Sequence, residues 1–309
     1  MTFPLPDTWT LDILVEAYRQ HQRRTRGLRE QTLDGHERVV RQLVREALGD
    51  DPVDPTDFSP SEVIGFVASM RGRWAPGSMK VVCAALRSFF RFLRALGLCD
   101  DRLEAAVPTV PHWRLSALPR SLSDAQLEQV LASPDLSSPC GQRNRAILLC
   151  LATLGLRPHE VADLRLEDID WSAGTLELRV RKNRRGALLP LAREAGRAIA
   201  TYLREERPTT DERHVFVKHL GLHRGEPISR HAVYDIAVRA LRRVEVELTV
   251  GGAYVFRHTV ASHMVQRGAS LKEVADFLGH RSIDTTAIYA KLDLPSLREV
   301  ALPWPEVIR

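Results

Sequence analysis

Apolar residues recur along this chain at helical spacing far more often than they alternate. Residues 11–21 and 32–48 are the first such stretches; in the second, Leu33, Val40, Leu43, Val44 and Leu48 share one side of a 3.6-residue period. Ser59-Pro60-Ser61-Glu62 joins an N-cap, a proline at the first helical position and a capping-box glutamate, which predicts a helix through Val63, Phe66, Val67 and Met70. Over 78–96, Leu86, Phe89, Phe90, Leu93 and Leu96 form an apolar face. From 101 to 120 the pattern lapses. Pro108, Pro111 and Pro119, with Trp113 and Arg114 among them, predict an extended connection and a domain boundary.

Past that boundary, Ser123 with Gln126 opens another capped helix, and an apolar helix through Ile147, Leu148, Leu151 and Leu154 stops at Gly155. Residues 175–181 alternate: Leu176, Leu178 and Val180 on one face, Glu177, Arg179 and Arg181 on the other. That predicts a half-buried strand, with a turn over 182–186 and a return over 187–191. Helices over 192–206 and 229–246 flank a segment without clear pattern. The stretch 254–291 reads helix, turn, helix, turn, helix, with Gly268 and Gly279 as stops and Ser270 with Glu273 as a capping box. The fold class is therefore mainly α. A four-helix domain spans 1–105, a Pro-rich linker 106–120, and a mostly helical domain with a small antiparallel sheet 121–309, ending in a tail over 292–309.

Composition narrows the classes. The 309 residues are 44% hydrophobic, enough for two cores, yet no apolar run approaches the roughly 18 residues of a membrane helix. The first residues, MTFPLPDTWTLD, lack the basic and then apolar segments of a signal peptide. Cys83, Cys99, Cys140 and Cys150 lie apart without C-x-x-C spacing, which points to reduced core residues in a cytoplasmic protein and to no zinc site. No carboxylate cluster suggests magnesium. Net charge is +5, so placement matters more than total. Arg19, Arg23, Arg24, Arg26 and Arg29 form a run without acids, readable as a solvated face or as a DNA contact. Lys80, Arg87, Arg91 and Arg94 share one face of the 78–96 helix, and no acid lies between Glu62 and Asp100. A basic face with nothing in the sequence nearby to pair it is what a duplex backbone attracts.

The candidate chemistry sits in YVFRHTVASHMVQRGASLKEVADFLGHRSIDTTAIYAK, residues 254–291. Arg257, His280 and Tyr289 would bring a guanidinium, an imidazole and a phenol from three short elements toward one phosphate. The stretch resembles the C-terminal signature of the tyrosine recombinase (phage integrase) family, H-x-x-R-H, then L-G-H, then a tyrosine nine residues after that histidine. Here Arg257 lies 23 residues before His280 and 32 before Tyr289. GLRPHEVADLRLEDID (155–170) is similar to the family's first box and gives Arg157 and Glu160. VRKNRRGALLPL (180–191) is similar to its β-hairpin and gives Lys182, eight residues before Pro190. The family's glycines flanking that lysine are replaced by Arg181 and Asn183, and the first histidine of H-x-x-R-H by Tyr254.

The resemblance implies a SAM-like core-binding domain ahead of the catalytic domain, and site-specific DNA recombination of the Xer-like or mobile-element kind. The reaction would pass through a covalent 3′-phosphotyrosine, with no metal or other cofactor. Tyr289 would be the nucleophile, Arg157, Arg257 and His280 the phosphate ligands, Lys182 the general acid, Glu160 a support for Arg157, and Tyr254 an altered member. His258 is read as structural and His263 as core or surface. Expected partners are double-stranded DNA with inverted repeats and further copies of the chain, four on two sites, with residues 292–309 docking on a neighbour. The expected place is the bacterial cytoplasm, on the nucleoid. Two competing readings are a DNA-binding relative with lost or altered catalysis and a type IB topoisomerase-like enzyme.

Overall fold

The structure is a computed structural model that describes residues 6, 8–49, 51–70, 72, 74, 76–110, 120–178, 186–245, 252–280 and 282–292. The chain separates into two compact units, Met1–Trp113 and Arg114–Arg309, a division that falls within the proposed linker. Lys182, Arg181, Asn183 and the tail after Leu292 lie outside the described residues.

The first unit holds α1 (Leu11–Arg26), α2 (Glu30–Leu48), α3 (Pro60–Ser69), α4 (Pro76–Ala95) and α5 (Arg102–Ala106). Thr10 caps α1 by accepting from the Ile13 amide, and Gly27, at φ 57°, ends it in the left-handed conformation. The Ser59–Glu62 capping box forms as the sequence predicts. The apolar face of α4 makes the centre of this core. Phe89 is fully buried and meets the Tyr18 ring edge-on at 5.5 Å, and Phe58 closes over Phe89 and Phe90. The helix α5 stands where an extended connection was expected. Five residues are too few to show a period, and burial of Leu103 against this core fixes them.

The basic stretches are paired in space by acids distant in sequence, contrary to expectation. Helix α1 runs on through the arginine run, so Arg19 faces α2 and donates to Glu30 (2.8 Å), Asp34 (2.9 Å) and Glu37. Arg23 donates to Glu30 at 2.7 Å. On α4, Arg91 donates to Glu104 at 2.6 Å, with Arg94 at 3.6 Å from the same carboxylate. Arg87 donates to the carbonyls of Val107 and Pro108. Absence of acids along the helix was the wrong test, because α5 brings Glu104 alongside it. Lys80 and Arg24 are exposed and have no ion-pair partner among the described residues.

The second unit comprises α6 (Asp124–Ala132), α7 (Gly141–Leu154), α8 (Pro158–Ala162), β1 (Ile169–Asp170), β2 (Thr175–Leu178), β3 (Ala187–Pro190), α9 (Arg193–Glu205), α10 (Arg230–Arg243), α11 (Tyr254–Gln266) and α12 (Leu271–Leu278). The sheet is antiparallel in the order β1-β2-β3, with Leu176 opposite Leu189 on one side and Ile169 on the other. These three side chains are buried against the main core, which supplies the alternation seen in the sequence. Helix α7 runs through that core. Its first turn has no side-chain cap of its own; the Glu206 carboxylate accepts from the Gln142 and Arg143 amides at 3.0 and 2.8 Å.

The end of the chain departs from expectation in one respect. Helices α11 and α12 form with the predicted stops, Gly268 at φ 89° and Gly279 at φ 60°. The third element is not an α-helix but two 3-10 segments, Ile283–Thr285 and Ala287–Leu292. Ser282 caps the first by accepting from the Asp284 amide. A run of Ser, Asp and two Thr favours such local side-chain bonds over regular helix. Cys83 and Cys150 are buried as expected, while Cys99 and Cys140 are half-buried, outside the strict core. No helix among the described residues is long and apolar enough to cross a membrane.

Candidate active site

Helix α11 has no separate polar face and is buried at Val255, Phe256, Thr259, Val260, Ala261, Ser262 and Val265, so it runs inside the second unit and carries Arg257 with it. The Arg257 side chain is 7% exposed. A buried guanidinium is tolerable only if its N–H groups find acceptors. Here Nη1 donates to the Gly155 carbonyl at 2.7 Å and Nη2 donates to the Leu278 carbonyl. Both acceptors are helix ends. Gly155 follows α7 in the left-handed conformation, φ 60°, and Leu278 is the last residue of α12, where carbonyls lack helical partners.

Arg157 reaches the same place from the other side. It precedes Pro158, the first residue of α8, and Glu160 holds it twice. One carboxylate oxygen accepts from the Arg157 amide at 2.7 Å, and the other accepts from Nη1 at 2.9 Å. That Nη1 also lies 3.4 Å from the Leu278 carbonyl. Two guanidinium groups from separate elements therefore converge on one carbonyl oxygen. Such a pair suits bidentate binding of an anion with several oxygens, phosphate above all.

His280 follows Gly279. Its backbone amide donates to the Ala275 carbonyl at 2.8 Å, and its Nδ1 lies 2.7 Å from the hydroxyl of the buried Thr286. That contact fixes the orientation of the ring. Thr286 in turn accepts from the Tyr289 amide at 2.9 Å through its carbonyl. Tyr289, on the second 3-10 segment, is 2% exposed, among Val260, Ala261, Val265, Val274 and Leu278. Burial pushes its phenol up to about 12, against the opposing pull of the Arg257 and Arg157 charges. The phenol is therefore neutral at pH 7, and the same two arginines act on it electrostatically.

The structure thus brings together Arg157, Glu160, Arg257, His280 and Tyr289. Tyr254 stands apart: it is the first residue of α11, 46% exposed, and no hydrogen bond joins it to the others among the described residues. Lys182 lies outside them. His263 is half-buried, 3.4 Å from Asp124. One further residue comes to the centre. His258, expected to be structural, places Nδ1 2.7 Å from the Tyr289 hydroxyl, with ring centroids 5.8 Å apart. The only trace of this in the sequence is its place one residue after Arg257. Among the described residues no group of three His, Cys, Asp or Glu could hold a metal ion.

Known proteins share this arrangement of domains. Residues 120–294 match the family model described as Phage integrase family, and residues 15–97 match the Phage integrase, N-terminal SAM-like domain. The chain belongs to the phage integrase family. A putative integrase/recombinase, y4rA of Sinorhizobium fredii, is 40% identical over 291 residues, covering 94% of this chain and 70% of that protein. The tyrosine recombinase XerD of Listeria monocytogenes is 29% identical over 282 residues, 89% of this chain and 92% of XerD. Among solved structures, XerH bound to a palindromic difH substrate in a post-cleavage complex has TM-score 0.72 at 17% identity, covering 97% and 98% of the two chains. A lambda integrase dimer bound to a COC′ core site has TM-score 0.68 at 19% identity, covering 97% and 81%. At these identities the structures speak for the fold alone. As an integrase-family tyrosine recombinase, the chain is a site-specific DNA recombinase.

The integrase site rests on the Gly155 turn. A Cβ added there would sit 2.9 Å from Leu278 Cδ2, in a conformation that L side chains rarely adopt. Gly155→Ala should cost about 1–3 kcal/mol of folding stability and displace the carbonyl that holds Arg257. Urea unfolding of the full chain measures this; an unchanged transition would show that the turn is not the constraint described here.

Proposed function

We propose that Tyr289 attacks a DNA phosphodiester to form a 3′-phosphotyrosine, with Arg157 and Arg257 as its principal phosphate ligands. The observation that carries this reading is the convergence of the two guanidiniums on the Leu278 carbonyl, with both acting on the Tyr289 phenol. A phosphodiester resists attack because its negative charge repels nucleophiles and its leaving alkoxide is strongly basic. Charge on the non-bridging oxygens grows as the five-coordinate phosphorane forms, so donors already fixed in place stabilise that state more than the ground state. His280, its ring held by Thr286, supplies a third donor. Glu160 acts through Arg157 by fixing its backbone and its guanidinium. Lys182, between β2 and β3 in the sequence, is assigned as the general acid for the departing 5′-oxygen. Tyr254 can offer a hydrogen bond from the place where relatives carry histidine, and so alters proton handling rather than abolishing the reaction.

The adduct keeps the bond energy of the broken phosphodiester, so a second 5′-hydroxyl can reseal it without ATP. That distinguishes strand exchange from hydrolysis. The substrate is double-stranded DNA carrying inverted repeats, and the working assembly is four copies on two sites, in the bacterial cytoplasm on the nucleoid. Support for DNA as partner comes from relatives captured on it: XerH on difH, lambda integrase on a core site, and the Tn1549 transposon integrase on circular intermediate DNA. With Tyr289 2% exposed, DNA binding has to uncover the nucleophile before it can react.

In the first unit, Lys80 and Arg24 are ready phosphate contacts. Arg87, Arg91, Arg94 and Arg23 can join only by leaving the partners they hold. Exchange is cheap for Arg91 and Arg94, since surface ion pairs contribute about 0–1 kcal/mol and both side chains are about half exposed.

Two measurements test this. Incubation with nicked duplex carrying the recombination site should give a covalent protein–DNA adduct on denaturing gels, and Tyr289→Phe should give none; an adduct in that variant contradicts the assignment. Glu104→Gln frees Arg91 and Arg94 and should tighten DNA binding at low salt, with a log K against log[salt] slope steeper by about one to two. An unchanged slope would mean that this face does not meet DNA.

A further inference from the structure

We propose that His258 is the proton acceptor for Tyr289 during DNA cleavage. The inference rests on the reading of Tyr289 as nucleophile and adds the base which that reading lacks. A phenol must lose its proton as it attacks, and a base already in contact with the hydroxyl can take it directly. Among the described residues, the group at hydrogen-bond distance from the Tyr289 hydroxyl is His258, at 2.7 Å through Nδ1. The contact spans 31 residues of sequence and joins α11 to the second 3-10 segment, so it is made by the fold and not by local chain geometry.

The imidazole is in the right state for this role. Burial first, and then the neighbouring Arg257 guanidinium, hold His258 below the usual imidazole range, so at neutral pH it is uncharged and has a lone pair to offer. The charge that acts on His258 is Arg257 on α11, and those that act on Tyr289 are Arg257 and Arg157; the same elements also carry His263 on α11, Lys272, Glu273 and Asp276 on α12, and Lys291 beside Tyr289. With Tyr289 as the donor, His258 carries its own proton on Nε2. The phenol stands at about 12, far above the imidazole, so the proton does not move ahead of attack. It moves as the bond to phosphorus forms and Oη loses its basicity.

The step balances without any further reagent. As the Oη–phosphorus bond forms, the phenol O–H bond breaks and the proton passes to Nδ1, giving an imidazolium. The phosphorus–O5′ bond breaks, and its electron pair leaves on the 5′-oxygen, which takes a proton from the general acid assigned to Lys182. On rejoining, a 5′-hydroxyl attacks phosphorus and gives its proton to the now neutral amine of the assigned general acid, the phosphotyrosine bond breaks, and the imidazolium returns its proton to Oη. Tyr254, one turn earlier on α11, is an exposed phenol without a contact to Tyr289 among the described residues. The imidazole next to the nucleophile is therefore supplied from the following turn of the same helix.

The test compares wild type, His258→Asn, His258→Ala and Tyr289→Phe, as full chains, for the rate of adduct formation on the nicked duplex. DNA binding and thermal melting serve as controls. Asparagine places an amide oxygen near the position of Nδ1, so it keeps the hydrogen bond to Tyr289 but cannot take the proton. Both His258 variants should form adduct at least ~100-fold more slowly, and added imidazole should restore part of the rate of His258→Ala. A near wild-type rate in His258→Asn would reduce His258 to a positioning residue. Faster cleavage by His258→Ala would show that the contact restrains the nucleophile. Either result overturns the proposal. An adduct formed by Tyr289→Phe would instead overturn the nucleophile assignment beneath it.

Discussion

Two positive charges held within reach of one carbonyl oxygen are the constraint on which the second unit depends. Arg257 is buried, and its guanidinium ties the end of α7, at Gly155, to the end of α12, at Leu278. Arg157 approaches that same Leu278 carbonyl while Glu160 grips it from the start of α8. Helix ends supply acceptors that helices cannot satisfy internally, so the cations and the termini stabilise one another. The two guanidiniums are thereby fixed in place by the fold itself. This is what electrostatic stabilisation of a phosphorane requires: donors that need not reorganise when charge develops.

Around that centre, burial acts differently on each group. The Tyr289 phenol is raised to about 12 and stays neutral at rest, despite two nearby guanidiniums. The His258 imidazole is lowered by the same burial and by Arg257, and also stays neutral. A neutral phenol facing a neutral imidazole avoids burying a further charge beside the arginines. Both shifts are tolerated because the 3-10 segments, Thr286 and Gly279 hold the chain where the side chains meet. Packing thus holds both groups neutral beside the two arginines.

Much of this was legible in the sequence, for reasons that can be named. Capping boxes at Ser59, Ser123 and Ser270 formed as predicted because their signals are local and need no tertiary partner. Glycine stops at 155, 268 and 279 were equally local. Arg157, Glu160, Arg257, His280 and Tyr289 could be singled out because their spacing matches a known family; their spatial convergence could not be derived from periodicity. What stayed hidden was long-range. Glu104 neutralises a helix face that seemed acid-free only along the chain, and the 3-10 character of 283–292 arises from side-chain caps competing with the helix. His258 looked structural because nothing in its own neighbourhood announces a partner 31 residues away.

The central claim is that Tyr289, set against the arginine pair, is the atom source of the covalent bond to DNA. Trypsin digestion of the trapped adduct, followed by mass spectrometry, tests it most directly, because cleavage after Arg281 and Lys291 releases SIDTTAIYAK, in which Tyr289 is the only tyrosine. The account predicts nucleotide mass on that peptide. Nucleotide mass on the peptide bearing Tyr254, with SIDTTAIYAK unmodified, would contradict it.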